Sequence, residues 1–155
     1  MGIWILSLSH FLHILATVVW IGGIWMILLV VLPSAKAGLE IAYVGKLMKE
    51  ITKRFTAMAN ISILILISTG ILIAHYDENF ALGPMMISKH LLVALMVAIH
   101  IYRILLTKKI ERMSLQEVDK MKKFSLNLIK TNLVLGIIVL LLTGISLSLS
   151  LGAVH

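Results

Sequence analysis

Four long apolar runs alternate with polar, mostly basic connections, and each run is long enough to cross a membrane. The runs cover about residues 3–32, 56–75, 85–107 and 127–151. Because an α-helix rises 1.5 Å per residue, about 20 apolar residues span a hydrocarbon core of about 30 Å. The pattern predicts an all-α integral membrane protein, with an antiparallel bundle of four transmembrane helices in a single membrane domain over residues 1–155.

Polar and small residues inside the runs predict one inward-facing stripe on each helix. Successive residues turn by 100° about a helix axis, so residues three, four or seven apart share a face. We expect the stripes to face the interior, because polar groups in lipid must find partners within the protein. The stripes are His13, Thr17 and Trp20; Asn60, Leu64, Ser68 and His75; Lys89, Val93, Met96 and His100; and Asn132, Gly136, Thr143, Ser146 and Ser150.

Composition agrees with a membrane protein and excludes several kinds of site. The 155 residues are 60% hydrophobic and 14% charged, with a mean hydropathy of +1.05, well outside the range of soluble domains. With no cysteine, the chain has no disulfide, thiolate metal site, iron–sulfur cluster or c-type haem attachment. No carboxylate lies inside a run, which gives no support to Ser/His/Asp catalysis.

Basic residues are concentrated in the first and third connections, which predicts the orientation in the cell membrane. By the positive-inside rule, both termini and the middle connection are extracytoplasmic. The net charge of +7 then reflects topology and attraction to anionic lipid, with no nucleic-acid partner. Between Leu39 and Phe55 the pattern predicts an amphipathic helix on the cytoplasmic membrane face. The capping-box pattern Ser114–Glu117 predicts the start of a helix that runs into the fourth span.

Histidines are the candidate functional residues, because an imidazole inside lipid is energetically expensive. Five of the six fall in the outer layer of the predicted bundle: His10, His13, His75, His90 and His155. Only His100 lies deeper. His13 and His100 are the best-buried pair on the predicted inward stripes.

The main hypothesis from these residues is haem b held by two histidines. Such a site needs one imidazole from each of two helices, an apolar slot and a cation near the propionates. We assign His13 and His100 to the iron, Lys89 to a propionate, and Trp20 and Gly23 to the wall and space around the macrocycle. The predicted function is a cytochrome-like module that transfers electrons to or from a quinol or an outer-face partner. Oxidoreductase activity and homo-oligomerisation are left open.

Copper is the alternative, since Cu(I) favours imidazole and thioether ligands. The outer layer offers both kinds of donor: His10, His75, His90, Met85 and Met86. In this hypothesis the chain is a copper-transport or copper-resistance protein that receives the ion at its outer face. A purely structural subunit is a third hypothesis, and it leaves His13 and His100 unexplained.

A family resemblance bears on the choice. The segment from His13 through Trp20 and Gly22–Gly23 to Pro33 resembles the first helix of the copper-resistance D (CopD) family and its HemJ-like relatives. Arg54-Phe55 leading to Thr69-Gly70 resembles the second helix, and Lys89 leading to His100 the third. The resemblance implies a four-helix membrane unit linked to copper passage or to b-type haem and redox chemistry. HemJ-like members oxidise protoporphyrinogen, but Ile24–Leu32 lacks the Tyr and Arg associated with that group.

Overall fold

A computed structural model describes residues 2–76, 83–110 and 115–152, and this part of the chain is almost wholly helical, with no strand. Four helices are long and apolar enough to cross a membrane. We label them α1 (Gly2–Gly38), α2 (Ile41–Tyr76), α3 (Pro84–Ile110) and α4 (Leu115–Gly152). The predicted all-α class and the four candidate spans are confirmed.

Helices α2 and α4 extend well beyond the predicted spans. The 36 residues of α2 measure about 54 Å, against a hydrocarbon core of about 30 Å. The prediction of a separate amphipathic helix between Leu39 and Phe55 was wrong, because Ile41–Tyr76 is continuous and contains no proline that would interrupt it. Helix α4 begins at Leu115 and runs without a break into the fourth span, as the capping-box pattern predicted.

Helix α1 changes its winding along its length. Two π-helical stretches, Val18–Gly22 and Met26–Val31, interrupt the α-helix. The buried residues Ala16, Trp20 and Ile24 recur every four positions, a spacing that drifts by about 40° per step around an ideal α-helix. Since a π turn contains more residues than an α turn, the first stretch, which lies between Ala16 and Ile24, reduces this drift.

The chain divides into two compact units, residues 1–80 and 81–155. In the first unit α1 packs along α2. Trp20 and Ile24 of α1 and the small residues Ala59 and Ser62 of α2 are buried. In membranes, small residues let helix backbones approach closely, which explains this choice of face. The single membrane domain stays a prediction.

In the second unit α3 packs along α4. The buried residues of α3 are Met96, His100, Arg103 and Leu106. Their spacing of three to four residues is that of one helix face, and it confirms that Met96 and His100 lie on the inner side of α3. On α4, Asn132 and Gly136 are buried as the stripe predicted, whereas Thr143 is exposed.

The predicted stripe on the second helix was wrong. Asn60, Ser68 and His75 are exposed, and Leu64 is 65% exposed. The face that α2 buries contains Ala59, Ser62, Ile63 and Thr69 instead. The face of α2 that is buried is therefore the one whose small side chains allow close packing, and not the one on which the larger polar residues align.

Candidate functional site

In the first unit, His13 forms a hydrogen bond with Thr69 across the contact between α1 and α2. His13 Nδ1 lies 2.9 Å from Thr69 Oγ1. The single hydroxyl proton of Thr69 is donated to the Ile65 carbonyl at 2.7 Å, so Oγ1 accepts from the imidazole. His13 is therefore protonated at Nδ1 when neutral, and Nε2 carries the lone pair with which an imidazole binds a metal.

Trp20 and Gly23 have packing roles in the same unit. Trp20 is 2% exposed and ranks among the largest fully buried side chains. A Cβ atom at Gly23 would overlap the ring of Phe55, so the space beside this glycine is filled by a side chain of α2. This packing gives no support to the predicted role of Gly23 as space for a macrocycle.

In the second unit, a thioether, an imidazole and a guanidinium share the buried face of α3. Met96 is 1% exposed, His100 is 2% exposed and Arg103 is 5% exposed. Its charge alone grouped Arg103 with the third basic connection, so its burial was not predicted. The missed signal was its spacing: Arg103 follows Met96 by seven residues and His100 by three, so it continues their stripe.

Asn132 is a buried polar residue of α4. It is 4% exposed, and its side-chain oxygen Oδ1 has no hydrogen-bond partner among the described residues. Buried polar atoms of native proteins are nearly always paired with protein, water or a ligand. The unpaired Oδ1 atom therefore makes Asn132 a candidate to contact a ligand or a water molecule.

The predicted outer donors are more accessible. Met85, Met86 and Lys89 are half-buried, and His90 is exposed with its Nδ1 donating to the Met86 carbonyl at 2.7 Å. His10 is exposed and makes the same kind of bond to the Leu6 carbonyl at 3.0 Å. In both neutral rings Nε2 therefore keeps the lone pair.

Two further histidines complete the outer set. His75 is exposed and lies edge-on to Tyr76, with ring centroids 4.8 Å apart. His155 lies outside the described residues. Within residues 2–76, 83–110 and 115–152, no three residues of the types His, Cys, Asp and Glu are grouped so that they could hold a metal ion.

Comparison with known families identifies the chain. The sequence model of the family "Copper resistance protein D" (CopD) matches residues 49–146, which is more than half of the protein. The chain belongs to the CopD family. This confirms the resemblance drawn from the sequence and agrees with a multi-pass membrane protein. No curated protein and no solved structure matches the chain.

The CopD match covers most of the candidate residues of the two units, but not all of them. Thr69, Lys89, His100 and Asn132 lie within the matched residues, whereas His13 lies before them. The family favours the copper alternative, and neither the comparisons nor the described residues support the haem interpretation.

Proposed function

We propose that this CopD-family chain binds copper within the membrane as part of copper resistance. Family membership carries the proposal. It is supported by imidazole and thioether donors on helices apolar enough to cross a membrane, since these are the neutral ligands that Cu(I) prefers. Copper is here the cargo of the protein.

The proposed topology places the outer methionine and histidine donors of α3 on one face of the membrane. Four residues connect Ile110 of α3 to Leu115 of α4, so at most about 18 Å separates these two residues. Because α3 is about 40 Å long and packs along α4, so short a link supports an antiparallel arrangement of the two helices. With the basic connections in the cytoplasm, Met85, Met86 and His90 lie near the extracytoplasmic face.

Thr69 positions His13 in the proposed site. A metal-binding histidine usually donates its second ring N–H to an oxygen atom, which fixes the tautomer and the direction of the ring. The 2.9 Å contact with Thr69 Oγ1 supplies that oxygen. His13 then presents Nε2 to copper in the first unit. In the second unit, Met85, Met86 and His90 are separate candidate donors.

The first prediction tests this arrangement through Thr69. Thr69→Val removes the oxygen that orients His13, so Cu(I) affinity should fall about 10- to 100-fold, the range for such supporting residues. His13→Ala should weaken Cu(I) binding at least as much. Thr69→Ser should bind nearly as tightly as the parent, because serine keeps the hydroxyl group. A chromophoric Cu(I) competition assay on detergent-purified protein measures these affinities.

Thr143→Val is the matched control. Thr143 is exposed, and its hydroxyl also donates to the carbonyl four residues earlier, at 2.8 Å. This variant should bind Cu(I) like the parent. A parent protein that binds no Cu(I) would overturn the copper function, and a Soret band in the purified protein would restore the haem hypothesis. Equal affinity of His13→Ala and the parent would remove His13 from the site.

A further inference from the structure

The side chain of Asn132 is the least explained feature of the second unit. Its amide is buried in a helix pair of the membrane, and Oδ1 lacks a partner among the described residues. A buried acceptor without a donor destabilises the fold, because it has lost water and gained nothing in exchange. Such a group is typically retained where it contacts a ligand, an ion or a trapped water.

In the proposed antiparallel hairpin, counting residues from the link shows which residue of α3 lies at the same height along the helix axis as Asn132 of α4. Asn132 lies 17 residues after Leu115, the first residue of α4, and Val93 lies 17 residues before Ile110, the last of α3. Asn132 therefore lies near the level of Val93, and Met96 is about 5 Å further along the axis. Both Asn132 and Met96 are on the buried faces of their helices.

Met96 and His100 supply the donors that copper prefers. Residues four apart on a helix have Cβ atoms about 5–6 Å apart, so a thioether and an imidazole at these positions can reach one ion. Arg103 lies one turn beyond His100 on the same face and is also buried. Because its guanidinium repels a cation, the favourable position for an ion is on the Met96 side of His100, toward the level of Asn132.

We propose that Met96, His100 and Asn132 form an internal Cu(I) site within residues 81–155. Thioether sulfur and imidazole nitrogen are the strong ligands, and the carboxamide oxygen of Asn132 is a weak additional ligand, as amide oxygens are at some histidine-containing copper sites. All three ligands are neutral, so bound Cu(I) keeps a single charge, and the Arg103 guanidinium repels it less than it would a divalent ion. The proposal rests on the copper function and gives the ion a second position, about 15 Å inward of Met86.

Asn132→Leu separates a ligand from a structural amide. If Oδ1 serves copper, removing it should raise the melting temperature of the copper-free protein, because an unsatisfied buried acceptor is lost. The same variant should bind Cu(I) more weakly. Asn127→Leu is the matched control, since Asn127 is an exposed asparagine of the same helix. It should leave Cu(I) affinity unchanged.

Met96→Leu tests the sulfur ligand with a substitution that conserves volume. Copper K-edge X-ray absorption of the Cu(I)-loaded parent should show sulfur scattering. In Met96→Leu the sulfur contribution and the number of bound ions should both fall. Met58→Leu, at an exposed methionine of α2, should change neither quantity.

The outcomes distinguish this site from the general copper function. A parent that binds Cu(I) with Asn132→Leu and Met96→Leu both matching it would overturn the internal site and leave the proposed function standing. A parent without Cu(I) binding would overturn both. If Asn132→Leu melts at a lower temperature and binds copper like the parent, Asn132 holds a structural water and the proposed site is wrong.

Discussion

At the scale of single residues, the protein relies on a few polar side chains buried among apolar ones. His13 is oriented by Thr69, and His100 and Arg103 lie one turn apart on the buried face of α3. Membrane proteins keep such groups where function requires them, because each must be satisfied away from water. Arg103 is the most demanding of them, since a guanidinium keeps its charge at any depth.

Arg103 should limit how strongly copper binds in the second unit. At about 8 Å and an effective dielectric constant of about 20, two unit charges repel by about 2 kcal/mol. Arg103→Gln should therefore strengthen Cu(I) binding by roughly 10-fold or more, measured by chromophoric competition, whereas Arg103→Lys should stay close to the parent. Unchanged affinity in Arg103→Gln, with a lower melting temperature, would show that Arg103 is purely structural.

At the scale of the helices, side-chain size determined which face of α2 is buried, and the spacing of its polar residues did not predict that face. The stripe of α3 was predictable because Met96 and His100 share a face with little competition from other polar groups. On α2 the alignment of Asn60 and Ser68 indicated the wrong face. A lipid-facing surface is as apolar as a helix–helix contact, so hydropathy alone does not separate the inner side from the outer one.

The contact between Gly23 and Phe55 gives a prediction at this scale. Gly23→Ala should destabilise the protein by about 1–3 kcal/mol, because the new methyl group overlaps the Phe55 ring. Gly22→Ala is the matched control, since nothing lies within 4 Å of a Cβ there. That variant should be neutral or slightly stabilising, because alanine favours helix. Melting temperatures in detergent measure both.

Phe55→Leu combined with Gly23→Ala should recover part of the loss, because the smaller side chain leaves room for the methyl group. Equal destabilisation by Gly22→Ala and Gly23→Ala would mean that the overlap with Phe55 is not the cause.

At the scale of the whole molecule, the basic residues define an orientation that can be tested directly. The chain contains no cysteine, so single cysteines can be introduced without background labelling. Lys46→Cys and Lys120→Cys should be protected from a membrane-impermeant maleimide in intact cells and labelled after lysis. Ser88→Cys, at an exposed position near the start of α3, should be labelled from outside. The reverse pattern would invert the proposed topology and place Met85 and Met86 in the cytoplasm.

Four membrane helices, the inward face of α3 and membership of the CopD family could be predicted from the order of residues alone. Length and hydropathy suffice for this, since a helix is the only common way to satisfy a single apolar span in lipid. Helix packing was needed to show that α2 buries Thr69 against His13, that Arg103 is buried and that Asn132 Oδ1 has no partner among the described residues. These features depend on which surfaces touch, and in a membrane that choice follows from shape and hydrogen bonding, which a pattern of apolar residues does not encode.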